Sequence, residues 1–327
     1  GAVGLVFYEY AALDGVCRAN LTPYQEVASG FDNEKFNGDY GVSMPPVVSH
    51  EPTVTLDKQV DQSVIGPTLP ATLTYTLAIS NTGPVDVGDP GIGLPLVIEE
   101  EIPANTNYIT GTAAINNTLP AGVGSYTILY SADNGNSWSQ TEPPAATVTN
   151  IQWWLSDSLA AGAGGDVTFQ VEVPTGYTGA IVPNTAQLSF GFASPFAEDT
   201  AVTRIAGINQ IGDTIFADDG SGGGSQGNGV QDGGEAGLPG ITVSLYYDED
   251  GDEVGDYLLE TDTTDGSGNY LFTGLADGRY VVQVDPTDAA LPTGYAPTTE
   301  TALPVNLDIT TTDSNRVIDQ VPDIGLS

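Results

Sequence analysis

Apolar and polar residues alternate along much of this chain. Leu73, Tyr75, Leu77 and Ile79 fall on one side of a strand, and Val167, Phe169, Val171 and Val173 repeat the pattern. A period of two marks a strand with one face in a core. The same reading predicts strands over 53–56, 71–80, 126–131, 148–155, 166–173 and 184–192, then over 241–247 and 270–272. Turn residues recur between them and no long helical period intervenes. The pattern therefore predicts an all-β chain, with a two-sheet β-sandwich at 52–206 and a second, smaller β-module at 207–327.

The N-terminus departs from this order. Residues 1–13 are a dense, β-prone run in which Glu9 is the one charge. Val3, Leu5 and Phe7 would face one side of a strand, and Val6, Tyr8 and Tyr10 the other. An unpaired strand of this kind invites aggregation. Two readings stand: it pairs within its own chain, or it is a donor strand that completes a neighbour's sheet. Residues 14–51 are irregular and favour the second, because a connector of that length is unusual inside one compact domain.

Composition narrows the functions. The 43 acidic against 6 basic residues give a formal charge of −37, which repels nucleic acid phosphates and anionic membranes. Cys17 and His50 are each the one residue of their kind, so an intrachain disulfide framework and a Cys/His zinc cluster are excluded. Cys17 reads as a buried or inert thiol, with an interchain pairing as the alternative. No stretch is long enough to span a bilayer. A start at Gly1 without a charged leader reads as a mature chain after removal of a signal peptide.

The charge is concentrated. Between Asp213 and Asp265 stand fourteen Asp or Glu residues and no Lys or Arg. Unpaired carboxylates at that density push a folded loop apart, and a hard divalent cation relieves them because calcium prefers oxygen ligands. Calcium is therefore the expected cofactor. The competing reading is a solvated acidic face.

Within the first module, TLDKQVD (55–61), LTYTLAISNTG (73–83), YSADNGNSWS (130–139), IQWWLSDSLAAGAGGDVTFQVEV (151–173) and NTAQLSF (184–190) resemble the conserved-repeat domain of prokaryotic surface proteins, a family of unknown function. The resemblance implies an immunoglobulin-like sandwich in a secreted or surface-anchored protein, without enzymatic activity. Lys58 lies on the first expected strand and Asn184 opens the last. Many surface β-domains join a buried Lys to an Asn through an isopeptide bond with help from an acid, burial making the amine neutral. The alternative is an exposed lysine and a turn asparagine.

The second module, from INQIGDTIFADDG (208–220) to DIGLS (323–327), resembles the B-type domain of serine–aspartate-repeat adhesins. These are prealbumin-like sandwiches, related to collagen-adhesin B domains, that bind calcium. On that resemblance Asn228, Asp232 and Glu235 fit the second half of an EF-hand-like loop, with Gly229 at its sharp turn. Gly224 and Gln226 stand where earlier ligands are expected. Either a glycine-rich insertion loops out and delivers Asp218 and Asp219, or the site is weaker than its relatives. Asp248, Asp250, Asp252 and Asp256 space a second loop, with Leu259 in place of the bidentate glutamate. Asp265 and Asn269 add oxygens from a hairpin turn. The second module contains no lysine, so a Lys–Asn crosslink cannot form within it.

Weaker signals complete the reading. Asn20 and Asn116 open glycosylation sequons. Leu291-Pro292-Thr293-Gly294 lacks the variable residue of a sortase signal and no hydrophobic tail follows. Of Trp153 and Trp154, alternation puts one in the core and one at a surface or contact, which favours packing over a sugar platform. One histidine leaves little for catalysis, and a non-enzyme is expected. The expected function is a structural subunit of a prokaryotic extracellular filament, joined head to tail to copies of itself by the N-terminal strand and stiffened by calcium. The alternative is a calcium-rigidified stalk or adhesin module that recognises a host ligand or glycan.

Overall fold

The computed structural model describes residues 54–114, 118–120, 122–285, 287–292, 302–307 and 324–326. The expected donor strand 1–13, the connector 14–51 and the sequon asparagines Asn20 and Asn116 lie outside the described residues.

The described chain is all-β apart from short 3-10 turns. The first module runs through β1 (Val54–Val60), β2 (Val64–Ile65), β3 (Ala71–Asn81), β4 (Leu96–Glu101), β5 (Asn107–Tyr108), β6 (Tyr126–Ser131), β7 (Asn150–Leu155), β8 (Gly164–Val173) and β9 (Ile181–Phe190). Then comes β10 (Ala197–Ala217), which serves both modules. The second continues with β11 (Thr242–Tyr247), β12 (Tyr257–Thr263), β13 (Asn269–Leu275), β14 (Gly278–Val284), β15 (Ala302–Leu307) and β16 (Ile324–Leu326).

Two sheets make the first module. One has the order β1-β3-β8-β5, and the other β10-β9-β4-β7-β6. The alternating residues meet between them: Leu73, Tyr75, Leu77 and Ile79 from β3, Val167, Phe169 and Val171 from β8, Ile98 from β4, Trp153 from β7, and Ala186 and Leu188 from β9 form one buried cluster. In the second module the sheet β12-β11-β14-β15 packs on β10 and β13, and β16 pairs with β10. Ile211 and Ile215 of β10 join Val243, Leu245, Phe272, Leu275 and Val282 in that core.

The expected strands are present within a few residues. Three features differ. Asn184 does not open the last strand of its module but sits inside β9, and β10 follows it. β4 has no clean alternation, because Leu96, Val97 and Ile98 are all buried. No linker separates the modules, because β10 passes through the boundary expected at 206/207 and pairs with β9 over Ala197–Arg204 and with β13 beyond it.

β10 also carries two parallel pairings. Arg204 and Ile205 pair with Val64 and Ile65 of β2, and Ile215, Phe216 and Ala217 pair with Ile324, Gly325 and Leu326 of β16.

At the junction the register against β13 breaks, because Ala206 and Asn209 both oppose Leu275. Gly207 lies in this bulge, and a Cβ there would stand 2.0 Å from the Leu275 carbonyl oxygen. Backbone cannot yield cheaply at that distance, so only glycine fits. Arg204 bridges to Glu260 at 3.3 Å beside the junction. A Gly207→Ala variant will lose roughly 1–3 kcal/mol of stability by forced displacement of the two backbones. Calorimetry of the full chain checks this; an unchanged unfolding midpoint would mean the bulge re-forms without strain.

Candidate functional site

Strand alternation puts Val54, Leu56, Lys58 and Val60 on the core-facing side of β1, so a lysine stands where an apolar residue belongs. Lys58 is 4% exposed. Its Nζ lies 2.5 Å from Glu100 Oε2, and both side chains are fully buried. Glu100 follows Leu96 and Ile98 on the inner face of β4. It stands opposite Ala186 of β9, so Asn184, two residues before Ala186, is its diagonal neighbour on the same face. Asn184 is 2% exposed, and neither its Oδ1 nor its Nδ2 makes a hydrogen bond of normal geometry. The second Glu100 oxygen, Oε1, is likewise buried without a partner.

Aromatic rings close this cluster. Nζ of Lys58 sits 5.1 Å from the Tyr75 ring centre and 5.7 Å from that of Phe169. The two rings stack 5.2 Å apart. The Lys58 backbone N–H donates to Asp199 Oδ2 at 2.6 Å, which ties β1 to β10.

Burial governs the protonation of the pair. It lowers the Lys58 pKa, against the partly compensating charge of Glu100. It also raises Glu100 to about 7, with Lys58 pulling the other way. The Asn184 amide is near enough to Glu100 and to the Tyr75 hydroxyl to lower the pKa of each somewhat. Both shifts of the pair favour its uncharged form, amine and carboxylic acid, over the ion pair. The expected alternative of an exposed lysine and a turn asparagine does not describe these residues. Glu100 was not singled out from the sequence, because the buried run Leu96-Val97-Ile98 leaves undecided which of Glu99, Glu100 and Glu101 faces the core.

The acidic residues of the second module occupy two loops and a hairpin turn. In the loop between β10 and β11 the glycine-rich segment folds back on Asp218, which is fully buried. Its carboxylate accepts N–H bonds from Gly227 at 2.7 Å and Gly229 at 2.8 Å. Glu235 is buried as well and accepts from the Gly220 amide at 2.8 Å. Asp232 accepts from Ser225 N–H and from the Asn228 side chain, while Asp219 caps Ser221. The glycine-rich segment thus folds over Asp218, but among the described residues the carboxylates of Asp218, Asp219, Asp232 and Glu235 do not gather into a set of three within 4.8 Å.

The loop between β11 and β12 gathers its acids more closely. Oxygens of Asp248, Asp250 and Asp256 lie within 4.8 Å of one another, with Asp248 buried and the other two exposed. This is an all-oxygen donor set of the kind a hard divalent cation takes. Asp252 is in the same loop but outside that set, and it accepts from Val254 N–H. Arg279 competes for part of the charge: its Nε is 3.8 Å from Asp248, and its guanidinium donates to the Glu249 carbonyl. Asp265 is spent on its own turn, accepting from the amides of Asn269 and Ser267, which hold its pKa below the usual carboxylate range.

Trp153 is in the core and donates to the Ala113 carbonyl at 3.1 Å. Trp154 faces the other way, half-buried, edge-on to Phe192, which is 82% exposed. Phe190 and Phe196 stack beside it in sequence. A Phe192→Ser variant will leave stability within about 0.5 kcal/mol of the parent, because a side chain this exposed contributes little to the core. Thermal unfolding checks this.

Comparison with known proteins bears on the second module. Residues 209–321 match the family model described as SdrD B-like domain. Serine-aspartate repeat-containing protein F of Staphylococcus epidermidis is 31% identical over 145 residues, 41% of this chain and 8% of that protein. Serine-aspartate repeat-containing protein D of Staphylococcus aureus is 39% identical over 92 residues, 28% of this chain and 6% of that protein. The chain thus spans less than a tenth of the length of these curated relatives. The second module is thus similar to a SdrD B-like, prealbumin-like domain. Among solved structures, the major pilin subunit BcpA of Bacillus cereus overlaps at a TM-score of 0.29 and 12% identity, over 85% of this chain and 72% of that one. The major pilin SpaD of Corynebacterium diphtheriae overlaps at 0.29 and 15% identity, over 84% and 68%. Scores this low establish no common arrangement of the whole chain.

Proposed function

We propose that this chain is a structural subunit of a prokaryotic extracellular or cell-surface assembly. The observation that carries this reading is β10, which runs without a linker through two β-sandwiches and makes them one strut. The SdrD B-like second module fits a surface setting. Subunits join head to tail by donation of residues 1–13 to a neighbour's sheet, with Leu5 and Phe7 as anchors on one face of the strand and Val6, Tyr8 and Tyr10 on the other. Among the described residues, β12 has a ladder partner on one side only, and an added strand pairs at such an edge.

Calcium stiffens the second module in this reading. Asp248, Asp250 and Asp256 would hold one ion, and Asp218, Asp232 and Glu235 are the oxygens of the other loop. The ion would supply positive charge to loops that otherwise repel themselves.

A second reading rests on the half-buried Trp154 with the exposed Phe192 edge-on to it, which suits a stalk or adhesin module with a ligand of its own. Electron microscopy of the full chain beside a chain lacking residues 1–13, both in calcium, separates the two. Filaments from the first and none from the second are expected. Monomers from both would overturn the assembly and favour the adhesin.

A further inference from the structure

We propose that Lys58 and Asn184 become joined by an isopeptide bond between Nζ and Cγ, with Glu100 as the catalytic acid that moves the protons. The three residues come from β1, β4 and β9, so they meet only once the two sheets have packed. The inference is independent of the filament reading and concerns the first module alone.

Three observations converge. A lysine and a glutamate contact each other in full burial at 2.5 Å. An asparagine beside that glutamate is buried with both side-chain polar atoms unsatisfied. Such orphaned groups cost stability, and a native core normally avoids them. Aromatic rings of Tyr75 and Phe169 exclude water from the amine, so hydrolysis does not compete and the neutral amine is favoured. An ordinary structural ion pair would account for Lys58 and Glu100 but leaves Asn184 unexplained.

The reaction balances without an added reagent. Lys58 Nζ passes a proton to Glu100 Oε2, across the 2.5 Å contact, and becomes a neutral amine. Its lone pair attacks Asn184 Cγ, while the carbonyl electron pair moves to Oδ1, which takes the proton from Glu100. Glu100 then accepts a second proton from Nζ and delivers it to Nδ2. The Cγ–Nδ2 bond breaks as the Oδ1 electrons re-form the carbonyl, and Oδ1 returns its proton. One C–N bond has formed, one has broken, and one ammonia leaves. Nothing is oxidised or reduced.

Intact mass of the denatured full chain tests this, measured beside Lys58→Met, Asn184→Ala and Glu100→Gln. The parent is expected to be lighter than its sequence mass by one ammonia, and each variant to weigh its full sequence mass. Cleavage at acidic residues is expected to release a branched peptide that joins the strand of Lys58 to that of Asn184. Should the variants fail to fold, the parent mass and the branched peptide decide alone. A parent of unreduced mass with native circular dichroism overturns the proposal. So does an ammonia loss that persists in Lys58→Met, which would be a succinimide at Asn184. An unchanged loss in folded Glu100→Gln would remove Glu100 from the chemistry.

Discussion

Chelating calcium will lower the unfolding midpoint of the second module and leave that of the first nearly unchanged. The reason is electrostatic. Oxygens of Asp248, Asp250 and Asp256 converge to within 4.8 Å, with the Arg279 guanidinium nearby. Each pair of like charges at that range repels by roughly 1 kcal/mol in water and by several at the effective dielectric of a protein surface. An ion that binds only the folded loop stabilises it by about 2.7 kcal/mol when free calcium is about a hundred times its dissociation constant. The two modules can be followed separately, because Trp138, Trp153 and Trp154 all lie in the first. Tryptophan fluorescence therefore reports the first module, and far-ultraviolet dichroism reports both, so a dichroic transition without a fluorescence counterpart belongs to the second. With excess chelator the dichroic transition should fall by several degrees, and Asp248→Ala should remove much of the calcium response. A transition indifferent to chelator would show that Arg279 and the loop amides suffice to hold the carboxylates.

Replacing Trp153 by Ala will cost the first module about 3–5 kcal/mol, the range for emptying the site of a large buried aromatic. Trp153 is fully buried and tilts against Phe169 at a centroid distance of 6.3 Å. It also touches the layer that shields Lys58 and Glu100, so the cavity would open beside two ionisable groups. A loss of this size lowers the midpoint by roughly 10 °C in a domain of this length. Far-ultraviolet dichroism, which does not depend on the lost fluorophore, is the measurement. Trp154→Ala is the control: its ring packs on an exposed phenylalanine, and its loss should cost much less. Equal effects from the two would mean the inner face is not the chief support of the sandwich.

Much of this architecture is written in the alternation. β3 and β8 carry four inward apolar residues each and are legible to within two residues at either end. β4 was not, because Leu96-Val97-Ile98 reads as a run with no preferred face. Its register against β7 and β9 decides that Glu100, and not Glu99 or Glu101, points into the core. The first half of β10 reads as a polar segment, AEDTAVTR, and only its pairing with β9 reveals it as a strand. The buried cluster was half visible: Lys58 breaks the apolar face of its strand, and Asn184 does the same on β9. Its acid needed the sheet order. The acidic loops were visible as composition, whereas the folding back of the glycine-rich segment onto Asp218 depends on hydrogen bonds between residues that spacing alone does not pair.

The two parallel pairings of β10 bear on how the chain answers a pull. β2 lies near the start of the described chain and β16 at its end, and each runs in the same direction as the stretch of β10 beside it. If tension draws β10 toward its N-terminal end and β16 toward its C-terminal end, the two strands are dragged along each other in opposite senses. Their hydrogen bonds are then loaded together, in shear, and do not open one after another like a zip. The junction between modules adds no slack, since an extended strand has almost no length left to give. Extension under load would start only when a ladder fails, and the force at which that happens is set by an unfolding rate, not by the equilibrium stability of either sandwich.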